Sequence, residues 1–436
     1  MPHYYVTPAG AAALRSYRYI GADHSLLYRY LLSPFADWVV ARLIPLWVAP
    51  NLITLLGMLL QVAAFLVLVA YCPTLREAPP AWAGLLAAAA LFGYATLDNC
   101  DGKQARRTGS SSPLGLMFDH GLDAVNGGFF GPLIMAQVLG ASAGGWRHFA
   151  LWAVAVGPFF ANTWEENWTG EFHLPIINGP NEGIIIICAS YAATSLVLPA
   201  GWWGVPCAPG GSCEAMAVAA APVTRALAAL AGERAAQAPG TRAPGTPLDL
   251  MIAYGLIGAA LTMGANCLRV ARAVGRDAPR QLEAFSQLAT FAALPAAAGA
   301  WLAVPATRAL VAQLPYHWYA ALGAAFVLVT SKLMLSHTSR QAYAPPLIGL
   351  ALILAPPMLA AARDAGSLSG FAPEIRGGPI VHRGGHIHDP LLHPALWAAV
   401  VFNVCSALHF AAHAPWEVAE ELGIKVFSIT KLKKGA

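Results

Sequence analysis

Apolar runs of about 20 residues recur along the chain, and they limit its fold more than any other feature. A helix of that length spans the hydrocarbon core of a bilayer, and only helices or closed barrels satisfy the backbone in lipid. Charged residues make up 11% of the 436 residues, whereas a soluble domain carries about 25%. The chain therefore has too few charges to cover a water-facing surface. The sequence predicts an all-α, polytopic integral membrane protein.

The apolar runs and their connections predict about ten transmembrane helices and five regions. The spans are expected near 51–71, 81–97, 114–140, 147–163, 184–203, 248–268, 283–304, 318–336, 344–362 and 391–411. The regions are an interfacial or cytosolic N-terminal segment (1–50), a first helical group (51–203), a polar loop (204–247), a C-terminal helical group (248–411) and a basic cytosolic tail (412–436). No internal repeat of the transporter kind is evident.

Lysine and arginine concentrate in connections on one side of this predicted topology. They are Lys103, Arg106, Arg107, Arg269, Arg272, Arg276, Arg280, Lys425, Lys431, Lys433 and Lys434. Short connections rich in these residues face the cytosol. Ten spans would place both termini on that side. We expect no cleavable signal peptide, because residues 1–49 are mixed and contain several arginines.

Net charge and cysteine content indicate which classes of partner to expect. The formal charge of +4 is small, so no nucleic-acid partner is predicted. The seven cysteines are scattered without a CxxC pair, which argues against zinc. Cys207 and Cys213 could pair if their loop is lumenal, or could remain two separate thiols.

The stretch 97–125, LDNCDGKQARRTGSSSPLGLMFDHGLDAV, contains four aspartates between and within two apolar segments. Asp98 and Asp101 are three residues apart and share a helix face. Asp119 and Asp123 are four apart and share a face of the next helix. A carboxylate at the centre of a membrane helix costs roughly 2.5 to 3.5 kcal/mol on insertion scales. Two adjacent antiparallel helices would thus present costly acids to one pocket, where a cation would compensate them.

Hard oxygen ligands of this kind suit Mg²⁺, Mn²⁺ or Ca²⁺ rather than Zn²⁺. Two such ions can stabilise charge in phosphoryl displacement. Arg106 offers the donors that match a phosphate, and Gly102 allows close approach of a ligand. Ala105 and Gly115 are small enough to leave room for a base or ribose. The alternative is helix capping or charge lining a channel or transporter, which four acids beside an arginine make less favoured.

The segment DNCDGKQARRTGSSSPLGLMFDHGLD (98–123) resembles the CDP-alcohol phosphotransferase signature at every fixed position and gap. The signature consists of two acids, glycine, Ala-Arg, glycine and two further acids. Its choline/ethanolamine branch is also similar in YRYIGADHS (17–25), LWVAPNLITLLG (46–57), INGPNEG (177–183) and SKLMLSHTSRQAY (331–343). The resemblance spans nearly the whole chain and is weakest at 204–247 and 363–390.

This resemblance implies transfer of a phospho-alcohol from CDP-choline or CDP-ethanolamine to the hydroxyl of diacylglycerol, with release of CMP. Its implied cofactor is Mg²⁺ or Mn²⁺, as a pair of ions. The implied metal ligands are Asp98, Asp101, Asp119 and Asp123. The implied CDP-alcohol contacts are Asn51, Gly102, Ala105, Arg106 and Gly115. Asn51 has an equally weighted second interpretation, as a polar neighbour of the helix-starting Pro50.

The attacking lipid hydroxyl must lose a proton, which requires a general base. In the resembled branch, the histidine matching His120 and the glutamate matching Glu182 are proposed as a catalytic pair. We therefore assign His120 as the base and Glu182 as the residue that orients it. Asp123 is the competing base, although a metal-bound carboxylate is a poor one.

The C-terminal Lys433 and Lys434 resemble a dilysine retrieval signal, which predicts an endoplasmic-reticulum or Golgi membrane with the active site facing the cytosol. A basic surface anchor is the alternative. His382, His386, His388 and Asp389 are interpreted as a solvated loop.

Two other functions remain as alternatives. One is a CDP-alcohol transferase for inositol, glycerol or serine, and the other is a cation transporter. Membrane lipid is an expected partner in each case, and a homodimer is left open.

Overall fold

Helices form the architecture, and the strands in the described part of the chain form two short pairs. The computed structural model describes residues 3–141, 145–207, 213, 216, 218, 221–223, 245–365, 380–381 and 387–430. The α-helices are α1 (Pro8–Ser16), α2 (Ser33–Arg42), α3 (Pro50–Tyr71), α4 (Trp82–Thr108), α5 (Pro113–Val125), α6 (Gly131–Leu139), α7 (Trp146–Thr169), α8 (Ile184–Leu196), α9 (Pro247–Val274), α10 (Ala278–Ala303), α11 (Pro305–Gln313), α12 (Pro315–Ser339), α13 (Leu347–Asp364) and α14 (Leu392–Leu422). Strand β1 (Gly21–Asp23) pairs in parallel with β2 (Phe172–Leu174), and β3 (Ile380–Val381) pairs antiparallel with β4 (Ile387–His388). The short turns are the π-helical Tyr28–Leu32, Asn126–Phe130 and Gly179–Gly183 and the 3₁₀ turn Trp202–Gly204.

Seven helices among the described residues are long and apolar enough to cross a membrane. They are α3, α5 continued through its π-helical turn into α6, α9, α10, α12, α13 and α14. This confirms the predicted all-α, polytopic class. Helices α4, α7 and α8 occupy the other three predicted spans. Helix α8 has only 13 residues, and α4 and α7 each end in a polar turn. The total of ten spans stays a prediction.

Loops gather at the two ends of the helix bundle. At one end, Gln137 Nε2 donates to the Tyr316 hydroxyl at 2.9 Å, and that hydroxyl donates to the Cys72 carbonyl. At the opposite end, which we call the site end, α4, α7, α9, α12 and α14 finish, and α3, α5, α8, α10 and α13 begin. The described basic residues that were predicted to be cytosolic all lie at the site end.

The N-terminal segment is tied to the site end. The Glu417 carboxylate on α14 accepts the backbone N–H of Tyr4 at 2.8 Å. Its other oxygen accepts from Tyr5 at 2.9 Å and Val6 at 2.8 Å. Gln341, just after α12, donates to the Tyr5 carbonyl at 2.8 Å. Three backbone donors on one carboxylate hold the N-terminal segment across the ends of α12 and α14.

Two glycines bring α12 against the π-helical turn between α5 and α6. A Cβ at Gly323 would lie 2.7 Å from the carbonyl oxygen of Gly128. A Cβ at Gly128 would lie 2.7 Å from Phe326 Cδ1. The same Gly128 carbonyl accepts a hydrogen bond from Trp152 Nε1 at 3.1 Å. Because α5 carries two of the four aspartates, this close contact fixes where the polar face of α5 lies.

Replacing Gly323 with alanine should destabilise the protein, because the new methyl group meets backbone that cannot move aside. We expect a loss of about 1–3 kcal/mol, typical of overpacking. Gly264→Ala is the matched control, since a Cβ there meets nothing within 4 Å on another helix. Alanine should be neutral or slightly stabilising there. Unfolding midpoints in detergent, followed by tryptophan fluorescence, check this; equal midpoints for both variants would contradict it.

Candidate active site

A tight reversal between α4 and α5 places the aspartates of both helices side by side. Gly109 ends α4 with φ +67°, a left-handed conformation that suits glycine. Ser112 then caps α5, accepting the N–H of Gly115 at 3.2 Å, with Pro113 as the first helical residue. The local sequence therefore forces the chain back on itself, as the predicted antiparallel arrangement requires.

The structure brings three of the four aspartates into one cluster. One carboxylate oxygen each from Asp98, Asp119 and Asp123 lies within 4.8 Å of the other two. Asp98 Oδ1 and Asp119 Oδ1 are shielded from solvent and have no hydrogen-bond partner. Two ionised carboxylates at that separation repel by about 3 kcal/mol at an effective dielectric of roughly 20. Orphaned, convergent oxygens of this type fit a hard divalent cation.

Asp101 lies beside this three-aspartate cluster and has a different partner. It is 6% exposed, and its Oδ2 accepts a hydrogen bond from Thr54 Oγ1 at 2.6 Å. Asp123 is also held from outside the cluster, because the Tyr94 hydroxyl donates to its Oδ1. Each of these donors engages one oxygen of its carboxylate, so the second oxygen can bind a metal ion.

Three polar residues near the aspartates, Thr54, Tyr94 and Asn126, are not among the site residues predicted from the sequence. Helical spacing could have found them. Thr54 follows Asn51 by three residues and Tyr94 precedes Asp98 by four, so each shares a face with a predicted site residue. Asn126 lies on the aspartate stripe of α5, and its buried Oδ1 has no hydrogen-bond partner.

Two of the three basic residues on α4 hold helix α2 in place. Lys103 pairs with Asp37 at 2.9 Å. Arg107 donates to the carbonyls of Val40 at 2.7 Å and Ile44 at 2.8 Å, where α2 ends. These contacts give both residues a structural role.

Arg106 differs from its basic neighbours. It is exposed and, within the described residues, makes no hydrogen bond or ion pair. Its Nη1 would lie 3.5 Å from a Cβ built at Gly102, so Gly102 leaves space beneath the guanidinium. Ala105, next to Arg106, is partly buried. We call Arg106 uncommitted because its guanidinium has no hydrogen-bond or ion-pair partner among the described residues. Such a guanidinium, on the helix that carries Asp98, is suited to bind an anionic ligand.

Residues 423–430, which we call the C-terminal segment, pack beside Asn51. Asn51 Nδ2 donates to the Val426 carbonyl at 2.8 Å, and Val426 is 4% exposed. Phe427 packs edge-on against Phe118 of α5 at 5.5 Å between ring centroids. Asn51 Oδ1 points to Gly115, where a Cβ would lie 3.8 Å away. Pro50 is the first residue of α3, as the second interpretation of Asn51 expects, and Asn51 beside it also makes this tertiary contact.

His120 and Glu182 lie on separate elements. His120 is 7% exposed, its Nδ1 has no hydrogen-bond partner, and its ring centroid is 5.1 Å from that of Phe172. Glu182 accepts from Ser25 Oγ at 2.5 Å and from the N–H of Asn178 at 2.9 Å. No hydrogen bond joins His120 to Glu182 in the part of the chain described here. Their assignment as a catalytic pair stays a prediction.

A second buried polar group adjoins the site end. The Tyr17 hydroxyl donates to Glu166 Oε1 at 3.4 Å and lies 3.2 Å from His337 Nε2. The His337 ring is also 3.6 Å from the Glu166 carboxylate. Burial, followed by the nearby carboxylate, raises the pKa of Tyr17 above its usual range. The phenol therefore stays a neutral donor at physiological pH.

Two predictions concern the opposite end of the bundle. Cys207 and Cys213 form a disulfide, which decides between the two alternatives left by the sequence. Asp389 is 2% exposed and bonded to Arg363 at 2.6 Å, so the expectation of a solvated loop is wrong for this residue. Despite burial, Arg363 and two backbone N–H groups hold the pKa of Asp389 below its usual range. His382 and His386 lie outside the described residues, as do Lys433 and Lys434.

Comparisons with known proteins cover the helices that carry these aspartates. The family model described as CDP-alcohol phosphatidyltransferase matches residues 47–232. Choline/ethanolaminephosphotransferase 1 of Arabidopsis thaliana is 44% identical over 200 residues, or 46% of this chain and 50% of the relative. Cholinephosphotransferase 1 of Saccharomyces cerevisiae is 35% identical over 203 residues, with the same coverage. CDP-diacylglycerol–serine O-phosphatidyltransferase of Encephalitozoon cuniculi is 38% identical over 192 residues, or 43% of this chain and 48% of the relative.

Residues 47–232 thus match the CDP-alcohol phosphatidyltransferase family model, which bears out the resemblance found in the sequence. The chain spans about half the length of the curated relatives it matches.

The three-aspartate cluster should bind a divalent ion. Asp98→Asn or Asp119→Asn removes one charged ligand and should weaken Mn²⁺ binding at least about tenfold, equivalent to roughly 1.4 kcal/mol. Asp277→Asn is the matched control, because Asp277 caps α10 at the surface and asparagine caps equally well. Calorimetric titration of Mn²⁺ into purified protein measures the change. Unaltered affinity in both cluster variants would rule out ion binding at this position.

Proposed function

We propose that the protein transfers phosphocholine, phosphoethanolamine or both from the CDP-alcohol to the hydroxyl of 1,2-diacylglycerol. An oxygen–phosphorus bond forms between the lipid oxygen and the phosphorus that carries the alcohol. The bond from that phosphorus to the bridging oxygen of CMP breaks, so CMP leaves and a phospholipid forms. The relatives that carry choline/ethanolaminephosphotransferase in their names support this choice of headgroup.

The observation that carries the proposal is the three-aspartate cluster beside the uncommitted Arg106, inside the matched domain. Two of the converging carboxylate oxygens have no donor, which suits a bound cation, and an arginine without a hydrogen-bond partner suits phosphate. Both are requirements of a diphosphate substrate.

Asp98, Asp119 and Asp123 would hold Mg²⁺ or Mn²⁺, with Asp101 close by for a second ion. Bound divalent ions would neutralise the diphosphate and the departing CMP. The Thr54 and Tyr94 hydroxyls orient two of the carboxylates through the hydrogen bonds already described.

We assign the nucleotide to the space bounded by Asn51, Gly102, Ala105, Arg106 and Gly115. The Asn51 amide is oriented by Val426, so its Oδ1 is the acceptor offered to a ligand on the Gly115 side. Arg106 donates to the phosphates. The C-terminal segment therefore closes the nucleotide pocket, although it lies far outside residues 51–203 in the sequence.

The lipid hydroxyl needs a base, and His120 is the best-placed group. Its Nδ1 is buried and has no hydrogen-bond partner. On α5, His120 directly follows Asp119. The proton of the lipid hydroxyl passes to this imidazole. Glu182 lies at the end of the β1–β2 ribbon, where it bonds Ser25, while Phe172 of the same ribbon packs on His120. Glu182 would thus position His120 through the ribbon.

Another headgroup or lipid donor is the runner-up, since one relative is named for CDP-diacylglycerol and serine. A cation transporter has less support, because the three-aspartate cluster lies at one end of the bundle. We further propose an endoplasmic-reticulum or Golgi membrane with the site end in the cytosol. The disulfide at the opposite end supports a lumenal position there. Residues 51–203 would form most of the catalytic unit, and a homodimer stays open to test.

Release of CMP tests the function directly. Purified protein in detergent, given CDP-choline or CDP-ethanolamine with dioleoylglycerol, should release CMP only when Mg²⁺ or Mn²⁺ is present. Chelation should stop release, and re-addition of metal should restore it. Headgroup competition ranks the two substrates. Cation flux in liposomes without any CMP release would instead favour the transporter.

His120→Ala should lower CMP release by about 10²-fold or more, as expected for loss of a general base. Binding of CDP-choline should be nearly unchanged, because the metal and phosphate contacts remain. His317→Ala is the control, since His317 packs on Trp397 at the opposite end of the bundle. Glu182→Gln should cost less than His120→Ala. If His120→Ala kept full turnover while Asp123→Asn had none, Asp123 and not His120 would be the general base.

A further inference from the structure

A groove lies among α12, α13 and α14, on the far side of α12 from the three-aspartate cluster. Its volume is about 950 Å³. Fifteen residues line it, among them Tyr5, Lys332, Leu347, Val401, Cys405 and His409. Most of these side chains are apolar, and no aspartate or glutamate is among them. The groove can therefore contact hydrocarbon chains, and its lining contains no carboxylate.

Lys332 is the one lysine of this lining, which contains no arginine. It makes no hydrogen bond or ion pair with any residue that the structure describes, although it is partly buried on a membrane-spanning helix. A cation in such surroundings costs several kcal/mol unless an anion or water compensates it. The groove thus has an unmatched positive charge.

The depth of Lys332 follows from the packing of α12 against α5. Thr338 of α12 contacts Met117 at 3.6 Å, and Gly323 meets Gly128. Lys332 lies between these two contact levels, seven residues before Ser339 ends α12. At a rise of 1.5 Å per residue it is about 10 Å from the helix end. That places its flexible side chain within reach of the boundary between headgroups and hydrocarbon.

Exposed apolar side chains line the groove on α13, from its first residues at the site end, and on α14. Leu347 is 65% exposed, Ile348 64% and Val401 55%. At the rim, the Tyr5 hydroxyl bonds to His409 Nδ1 at 2.7 Å, which offers a polar edge near the cation. The groove thus combines a polar rim, a lysine whose flexible side chain reaches toward the headgroup boundary, and exposed apolar walls, which are the contacts that a phosphate headgroup and its acyl chains require.

We propose that this groove binds a glycerophospholipid, with its phosphate on Lys332 and its acyl chains against α13 and α14. Diacylglycerol lacks the anion that Lys332 requires, and free phosphate lacks the chains that the walls fit. Helix α12 separates the groove from the aspartates, because α12 meets α5 with its other face. The site therefore goes beyond the proposed transferase reaction and needs no turnover to be detected.

Thermal unfolding of the full chain in detergent tests the site, with dioleoylphosphatidylglycerol, dioleoylglycerol or inorganic phosphate added in separate series. The phospholipid should raise the midpoint of the wild type. Lys332→Met should weaken the fitted phospholipid affinity about tenfold, as for loss of one charged hydrogen bond. Lys332→Arg should retain the affinity. Arg276→Met, at an exposed turn after α9, is the matched control for loss of a positive charge.

Cys405→Trp provides an independent variant, because it narrows the groove while Lys332 remains. Cys405 is exposed, so the fold should tolerate the substitution. This variant should also lose phospholipid stabilisation. Any effect of dioleoylglycerol should be equal in wild type and Lys332→Met. The proposal is overturned if phospholipid stabilises Lys332→Met as strongly as wild type, or if it fails to stabilise wild type. Inorganic phosphate reproducing the effect would overturn the lipid assignment.

Discussion

Repulsion among shielded carboxylates is the constraint on which the site end depends. Asp98, Asp119 and Asp123 converge to within 4.8 Å, and two of their oxygens have no donor. Such a cluster is stable only with compensating positive charge. The surrounding helices must therefore be held firmly enough to keep the acids together. The contact of Gly128 with Gly323 and the reversal at Gly109 provide that support.

Segments distant in sequence contact residues of the proposed site. Val426 orients Asn51 from the C-terminal side, and Ser25 engages Glu182 from the N-terminal side. Glu417 in turn anchors the first described residues to α14. Substitutions in the chain termini can therefore alter a pocket whose charged residues all lie on α4 and α5.

Much of the site was predictable because helical spacing converts sequence distance into a shared face. Asp119 and Asp123 illustrate this, as do the all-α class and the family resemblance. Helical spacing could not show that Asp101 lies outside the three-aspartate cluster. Asp101 is bonded to Thr54, and only tertiary packing brings Thr54 close to Asp101. Nor could it show that Lys103 and Arg107 hold α2 while Arg106 remains uncommitted. Three basic residues within five positions of one helix look alike until their neighbours in the fold are known.

The sequence alone determined the membrane environment, the helical class and the chemistry of the acid stretch. Apolar run length, scarcity of charge and fixed aspartate spacing are local properties, so they can be read without a fold. Tertiary structure decided which groups meet: Tyr94 with Asp123, Val426 with Asn51, and an unpaired Lys332 with a lipid-facing groove. Those contacts join residues tens to hundreds of positions apart. Their partners depend on how the helices pack, which no local pattern encodes.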